Sequence, residues 1–112
     1  MSESTGIIIP NEPERREAGR FVCDVPIRIE WGAAEILGRV RDISFAGMFV
    51  ELPNPLWVGA RFLAELTLGE PVHLDCEVRR VQPRGGMALR YTVAEDAGRA
   101  AIESLLRKIA AE

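Results

Sequence analysis

Phe21-Val22-Cys23-Asp24-Val25-Pro26-Ile27-Arg28-Ile29-Glu30-Trp31 is the stretch on which the fold turns. Phe21, Cys23, Val25, Ile27, Ile29 and Trp31 share one face, and Asp24, Pro26, Arg28 and Glu30 share the other. A period of two is that of a half-buried β-strand. Pro26 has no N–H to give to a neighbouring strand, so it marks an edge or a bend. Gly32-Ala33 then predicts a turn, and Glu35–Asp42 alternates again, with Ile36, Gly38, Val40 and Asp42 on one side. Met48–Leu52 reads as a third strand, closed by Pro53 and Pro55. Arg61–Leu68 and Val72–Gln82 read as two longer strands separated by Gly69-Glu70-Pro71, and Gly85-Gly86 turns the chain into Met87–Thr92. Six strands punctuated by turns predict a mainly β fold, a six-stranded antiparallel barrel.

The period changes at the C-terminus. Ile102, Leu105, Leu106 and Ile109 form a helical stripe, with Glu95, Asp96, Arg99, Glu103 and Arg107 elsewhere. Acidic residues at its start and Arg107 and Lys108 near its end suit the helix dipole, so a C-terminal α-helix is expected. At the other end, residues 1–13 include Pro10, Pro13 and several small or acidic residues, and read as a flexible tail.

The chain has 112 residues, enough for one domain and one modest core. Its composition, 47% hydrophobic and 28% charged, is that of an ordinary globular protein. Neither a secretory signal nor an apolar run long enough to span a membrane is apparent, so a cytoplasmic location is expected. In that compartment Cys23 and Cys76 read as small buried hydrophobes rather than a disulfide. The net charge of −3 argues against a protein that coats nucleic acid. Thirteen of the fourteen basic residues are arginine, Lys108 being the exception. A genome rich in G and C would enrich arginine overall, but it does not account for a local cluster.

That cluster is Arg15-Arg16-Glu17-Ala18-Gly19-Arg20, followed about twenty residues later by Asp42-Ile43-Ser44-Phe45-Ala46-Gly47. Guanidinium forks suit phosphate oxygens and the O6/N7 edge of guanine. Asp42 offers an acceptor for the N1–H and N2–H of a guanine, Ser44 a hydroxyl beside it, and Gly47 a close approach of the main chain. Taken separately, the two patches have plainer readings. Arg16 and Arg20 would pair with Glu14 and Glu17 on the surface, and Asp42 with Ser44 would close a strand through an Asx-type turn.

Together, Arg16-x-x-x-Arg20 and Asp42-x-Ser44-x-x-Gly47, in this order and spacing, resemble the paired signature of the PilZ domains, which bind the bacterial second messenger cyclic di-GMP. The resemblance runs from about Glu14 to the C-terminus and implies a domain over 14–112 with a six-stranded barrel and a terminal helix. It further implies a receptor or adaptor, not an enzyme, that holds cyclic di-GMP through Arg15, Arg16, Arg20, Asp42, Ser44 and Gly47. In the family a basic residue just before the first arginine goes with an intercalated ligand pair, and here that residue is Arg15. Arg90 aligns with an arginine of the family's final strand, where Ala88 and Tyr91 replace its usual glycine and phenylalanine. Arg80 falls near a guanine-stacking tryptophan of some members. Ligand binding would order the arginine arm, and an unidentified effector protein would read the change. The rival implication is a PilZ-fold interaction module in pilus or motility machinery that does not bind the nucleotide.

Catalysis finds little support in the residues. Ser44 is not in a GxSxG elbow, and His73, the single histidine, is not spaced to serve a nucleophile. Cys23, His73 and Cys76 make a poor metal set, because residues three apart point to opposite faces of a strand. No cofactor is expected beyond the nucleotide ligand. An RNA-binding barrel is disfavoured by the acidic balance and by only seven aromatic residues.

Overall fold

Alternation from Phe21 to Trp31 produces an uninterrupted strand, β1 (Phe21–Trp31), whose Val25, Ile27 and Ile29 are buried. In the computed structural model, which describes residues 20–111, five more strands follow: β2 (Ala34–Ile43), β3 (Gly47–Glu51), β4 (Arg61–Leu68), β5 (Glu70–Gln82) and β6 (Gly86–Val93). The helix α1 (Asp96–Ala110) closes the chain. Neighbouring strands are antiparallel, and the order β1-β2-β3-β6-β5-β4 closes into a barrel through the pairing of β1 with β4 over Ile27–Glu30. The expected fold class is therefore the observed one. The predicted tail over 1–13, like Arg15 and Arg16, lies outside the described residues.

Inward side chains such as Ile29, Val40, Met48, Val50, Leu66, Val78 and Met87 are fully buried and fill the barrel. Ile102 and Leu106 bring α1 into the same core, where the helix packs against β1, β5 and β6. Truncating one such leucine or isoleucine to alanine costs about 2–5 kcal/mol in a well-packed interior. Gly98 permits the close approach of the helix: a Cβ there would lie 2.9 Å from Val93 Cγ1 and 3.1 Å from Val72 Cγ1. Cys23 and Cys76 are both free thiols.

The turns differ from the sequence reading in detail. Gly69 alone, at φ +86°, reverses the chain between Leu68 and Glu70, which face each other across the hairpin. Glu70 and Pro71 therefore belong to β5, and Pro71 lies near its start, where a missing N–H is tolerated. Gly86 likewise belongs to β6 rather than to the turn. A Cβ on Gly86 would stand 2.0 Å from the Val50 carbonyl oxygen, so glycine is what lets β6 close on β3.

Asp42 shows the most consequential difference. Strict alternation would put it on the inward face with Ile36, Gly38 and Val40. Instead the pairing of β2 with β3 steps from Val40↔Val50 to Asp42↔Phe49, leaving Arg41 as an extra residue. A second irregularity lies opposite, between Val22 and Val25 of β1. A bulge of one residue reverses the phase of everything beyond it. Ile43 accordingly turns into the core and Asp42 turns out to the rim.

Candidate ligand site at the barrel rim

The chain passes from β2 to β3 through Ser44-Phe45-Ala46, and hydrogen bonds within this turn set its shape. Ser44 N–H donates to the Gly47 carbonyl at 2.8 Å, and Gly47 N–H donates to Ser44 Oγ at 3.2 Å. The Ser44 hydroxyl in turn donates to the Gly47 carbonyl, also at 3.2 Å. Tyr91 of β6 holds the turn from outside: its hydroxyl donates to the Ser44 carbonyl at 2.6 Å, and its backbone N–H donates to the Ala46 carbonyl at 3.0 Å. The phenol is buried, which pushes its pKa up to about 12. Tyr91 was legible in the sequence only as a replacement for phenylalanine. The signal was the added hydroxyl, since a buried tyrosine needs a partner for it.

The two sequence patches meet here. Arg20 Nη2 lies 2.9 Å from Asp42 Oδ1, with the side chains 40% and 30% exposed. Asp42 Oδ1 is itself shielded from solvent, and no hydrogen-bond donor among the described residues is aligned on it. Its charge is therefore met by Coulomb attraction without a directed bond. Gly47 completes the group, because the position a Cβ would occupy is 4.0 Å from Arg20 Nη1 and 3.9 Å from Ser44 Oγ. The tightest neighbour of that position is the Leu89 carbonyl oxygen at 3.1 Å, so what the missing side chain eases is the close pairing of β3 with β6. Beside the carboxylate, burial above all, and then the charges of Asp42 and Asp24, push the Cys23 thiol up to about 11.

Of the remaining predicted residues, Arg90 is exposed on β6 directly opposite Gly47. Arg80 is exposed on β5 opposite Ala88, one strand further round. Arg20, Asp42, Ser44 and Gly47 thus form one cluster with Arg90 beside it and Arg80 at its flank.

A cavity of about 530 Å³ lies away from this cluster, on the outer wall of β1, β2 and β4, and is lined by Pro26, Arg28, Leu37, Arg39, Glu65 and Thr67. Its cations are already neutralised: Arg28 bonds Glu35 and Glu65, and Arg39 bonds Asp24. Size alone therefore does not make it the better anion site. His73 is exposed and Cys76 buried, on opposite faces of β5. Among the described residues no group of three or more His, Cys, Asp or Glu side chains is arranged to hold a metal ion. Nor is any described helix long and apolar enough to cross a membrane.

A closed barrel capped by one helix, with polar motif residues gathered at the rim, defines a small binding module. Residues 14–108 match the PilZ domain, and the chain belongs to that family, which binds cyclic di-GMP and is not a catalytic one. No curated protein matches the sequence. Among solved structures, the fold resembles the Bacillus subtilis inhibitor of motility MotI/DgrA, with a TM-score of 0.69 and 20% identity over 86% of this chain. The match spans 52% of that protein, about half its length. It also resembles the PilZ domain of CeSA from a cellulose-synthesizing bacterium, with a TM-score of 0.60 and 17% identity over 80% of this chain and 95% of that one.

Proposed function

We propose that this chain is a receptor for cyclic di-GMP that acts as an adaptor, its arginine arm closing over the ligand to change contacts with a partner protein. The observation that carries this is the meeting of Arg20 and Asp42 at 2.9 Å, beside the open main chain of Gly47. In the free protein each charge is the other's partner, and the geometry is not that of a hydrogen bond. A guanine edge supplies N–H donors to Asp42 while a phosphate accepts from Arg20, so the ligand replaces one loose ion pair by directed, charge-assisted bonds. Ser44 serves chiefly by shaping the turn, and Arg90 adds a cation beside Gly47. Arg15 and Arg16 would complete the clamp, and the basic Arg15 favours an intercalated pair of ligands. Ordering the arm opposes binding entropically, and the ligand contacts must offset that ordering.

Isothermal titration calorimetry with cyclic di-GMP tests this reading. Wild type is expected to bind, with two ligands per chain. Arg20→Ala and Asp42→Ala are each expected to weaken binding by about tenfold or more, as charged hydrogen bonds contribute about 1.5–3 kcal/mol. No heat from pure, folded wild type overturns it.

One observation favours a pure interaction module instead. Trp57 and Val58 are 61% and 62% exposed near Trp31, at the barrel end opposite the Ser44–Gly47 turn. A partner captured equally with and without cyclic di-GMP, and lost on Trp57→Ser, would support that reading.

A further inference from the structure

Trp57 and Val58 are exposed side by side, yet both flanks of their loop are pinned, with Leu56 and Ala60 buried in the core. Ala60 N–H donates to the Trp57 carbonyl at 3.0 Å, Gly59 N–H donates to the Val78 carbonyl at 2.8 Å, and Val78 N–H donates to the Ala60 carbonyl at 2.9 Å. Two large apolar side chains are thus held out from the barrel on a fixed turn, and the Trp31 ring stands edge-on to Trp57 with 5.1 Å between centres. The charges around this tip are of one sign. Three connections gather at this end of the barrel: residues 32–33 between β1 and β2, 52–60 between β3 and β4, and 83–85 between β5 and β6. Arg84 is their only charged residue, in a chain of which 28% is charged. It sits at φ +63°, a left-handed backbone that glycine would adopt freely and arginine adopts at a cost. Arg79 is the extra residue of the bulge between Val78 and Arg80, so a second exposed cation follows directly on the residue that pins the tip. Neither Arg79 nor Arg84 has an ion-pair partner among the described residues. Glu51, the acid that ends β3 here, is engaged by Arg41 at 3.6 Å.

We propose that this end of the barrel is a membrane-surface contact, in which Trp57 and Val58 enter the headgroup region of an anionic bilayer while Arg79 and Arg84 meet its phosphates. A tryptophan suits that depth, because its ring is apolar and its N–H still reaches a polar partner. The wedge is already rigid, so little ordering entropy opposes its insertion. A projecting apolar tip needs a soft surface to receive it, and connections free of carboxylates bring no repulsion towards lipid phosphates. Two apolar side chains and two cations make a weak, reversible attachment rather than an anchor. The strands run from this end to the rim, so the Arg20–Asp42 pair faces away from the bilayer and stays open. The proposal therefore stands apart from the receptor reading and does not depend on it.

Flotation of the full chain with vesicles of mixed phosphatidylglycerol and phosphatidylcholine, and with vesicles of phosphatidylcholine only, tests the contact. Wild type should float with the anionic vesicles, far less with the neutral ones, and equally with and without cyclic di-GMP. Trp57→Ser should weaken binding by about tenfold and Val58→Ser by about fivefold, and both positions are exposed, so the barrel stays folded. Arg79→Gln and Arg84→Gln together should cost about tenfold or more. Leu37→Ser, at an exposed apolar position on β2, should change nothing. In a Trp31→Phe background, Trp57 emission should shift to the blue and be quenched by brominated lipid. No flotation of folded wild type, or an equal loss on Leu37→Ser, overturns the proposal. If vesicles stay unbound while Trp57→Ser loses a captured protein, the end is a protein interface and the proposal falls.

Discussion

Arg20 and Asp42 are partly exposed partners, and an ion pair of that kind contributes only about 0.2–1 kcal/mol to folding. Asp42→Ala should therefore leave the urea midpoint almost unchanged while removing most of the affinity for cyclic di-GMP. Parallel losses of both would mean that the pair is structural. Tyr91 is the opposite case. Tyr91→Phe leaves the ring in place but strips the Ser44 carbonyl of its 2.6 Å donor. A loss of about 1–2 kcal/mol in chemical denaturation is expected, with faster amide exchange at Gly47, whose N–H closes the turn. The Asp-x-Ser-x-x-Gly spacing was plain in the sequence, but the tyrosine that staples it comes from a strand more than forty residues later. No local pattern announces such a contact.

Among the elements, α1 touches the barrel most closely at Gly98. Alanine in an exposed helix would stabilise by up to about 1 kcal/mol relative to glycine. Here the added methyl would meet Val93 at 2.9 Å and Val72 at 3.1 Å, a crowding worth about 1–3 kcal/mol. The second effect is the larger, so Gly98→Ala should lower the melting temperature by several degrees. A rise would show that the helix sits further out. The helix itself was legible from its stripe of Ile102, Leu105, Leu106 and Ile109, and the strands from alternation. What alternation missed was the bulge at Arg41, because a bulge depends on how two strands pair. It is this bulge that brings Asp42 to the outer face, so the site depends on a feature the strand pattern conceals.

At the scale of the whole molecule, burial leaves a signature in alkaline solution. Tyr91 is pushed up to about 12 from an ordinary 10, and Cys76 to about 12 and Cys23 to about 11 from an ordinary 9, chiefly by desolvation. The folded chain holds these protons more tightly than the unfolded one. Their contribution is complete below about pH 9 and is lost as pH rises through the folded values near 11–12. Urea unfolding should accordingly show lower stability at pH 10.5 than at pH 8, conditions chosen to lie on either side of the unfolded thiol value. Cys76→Ala, which removes the thiol without adding volume to the core, should flatten that slope. A profile unchanged over this range in wild type would contradict the burial of these groups.

Local chemistry along the chain determined the number and order of the elements, the barrel class and the pairing of an arginine segment with an Asp-x-Ser turn, because period, turn residues and motif spacing are properties of neighbours in sequence. Tertiary structure decided which of those residues meet. Closure of six strands set Gly47 opposite Arg90 and lined up Asp42, Phe49, Ala88 and Arg80 across four strands. Two irregularities in register chose the face on which Asp42 emerges. Contacts between residues far apart in sequence follow from how the strands register against one another, and that register is fixed only when the barrel closes around its core.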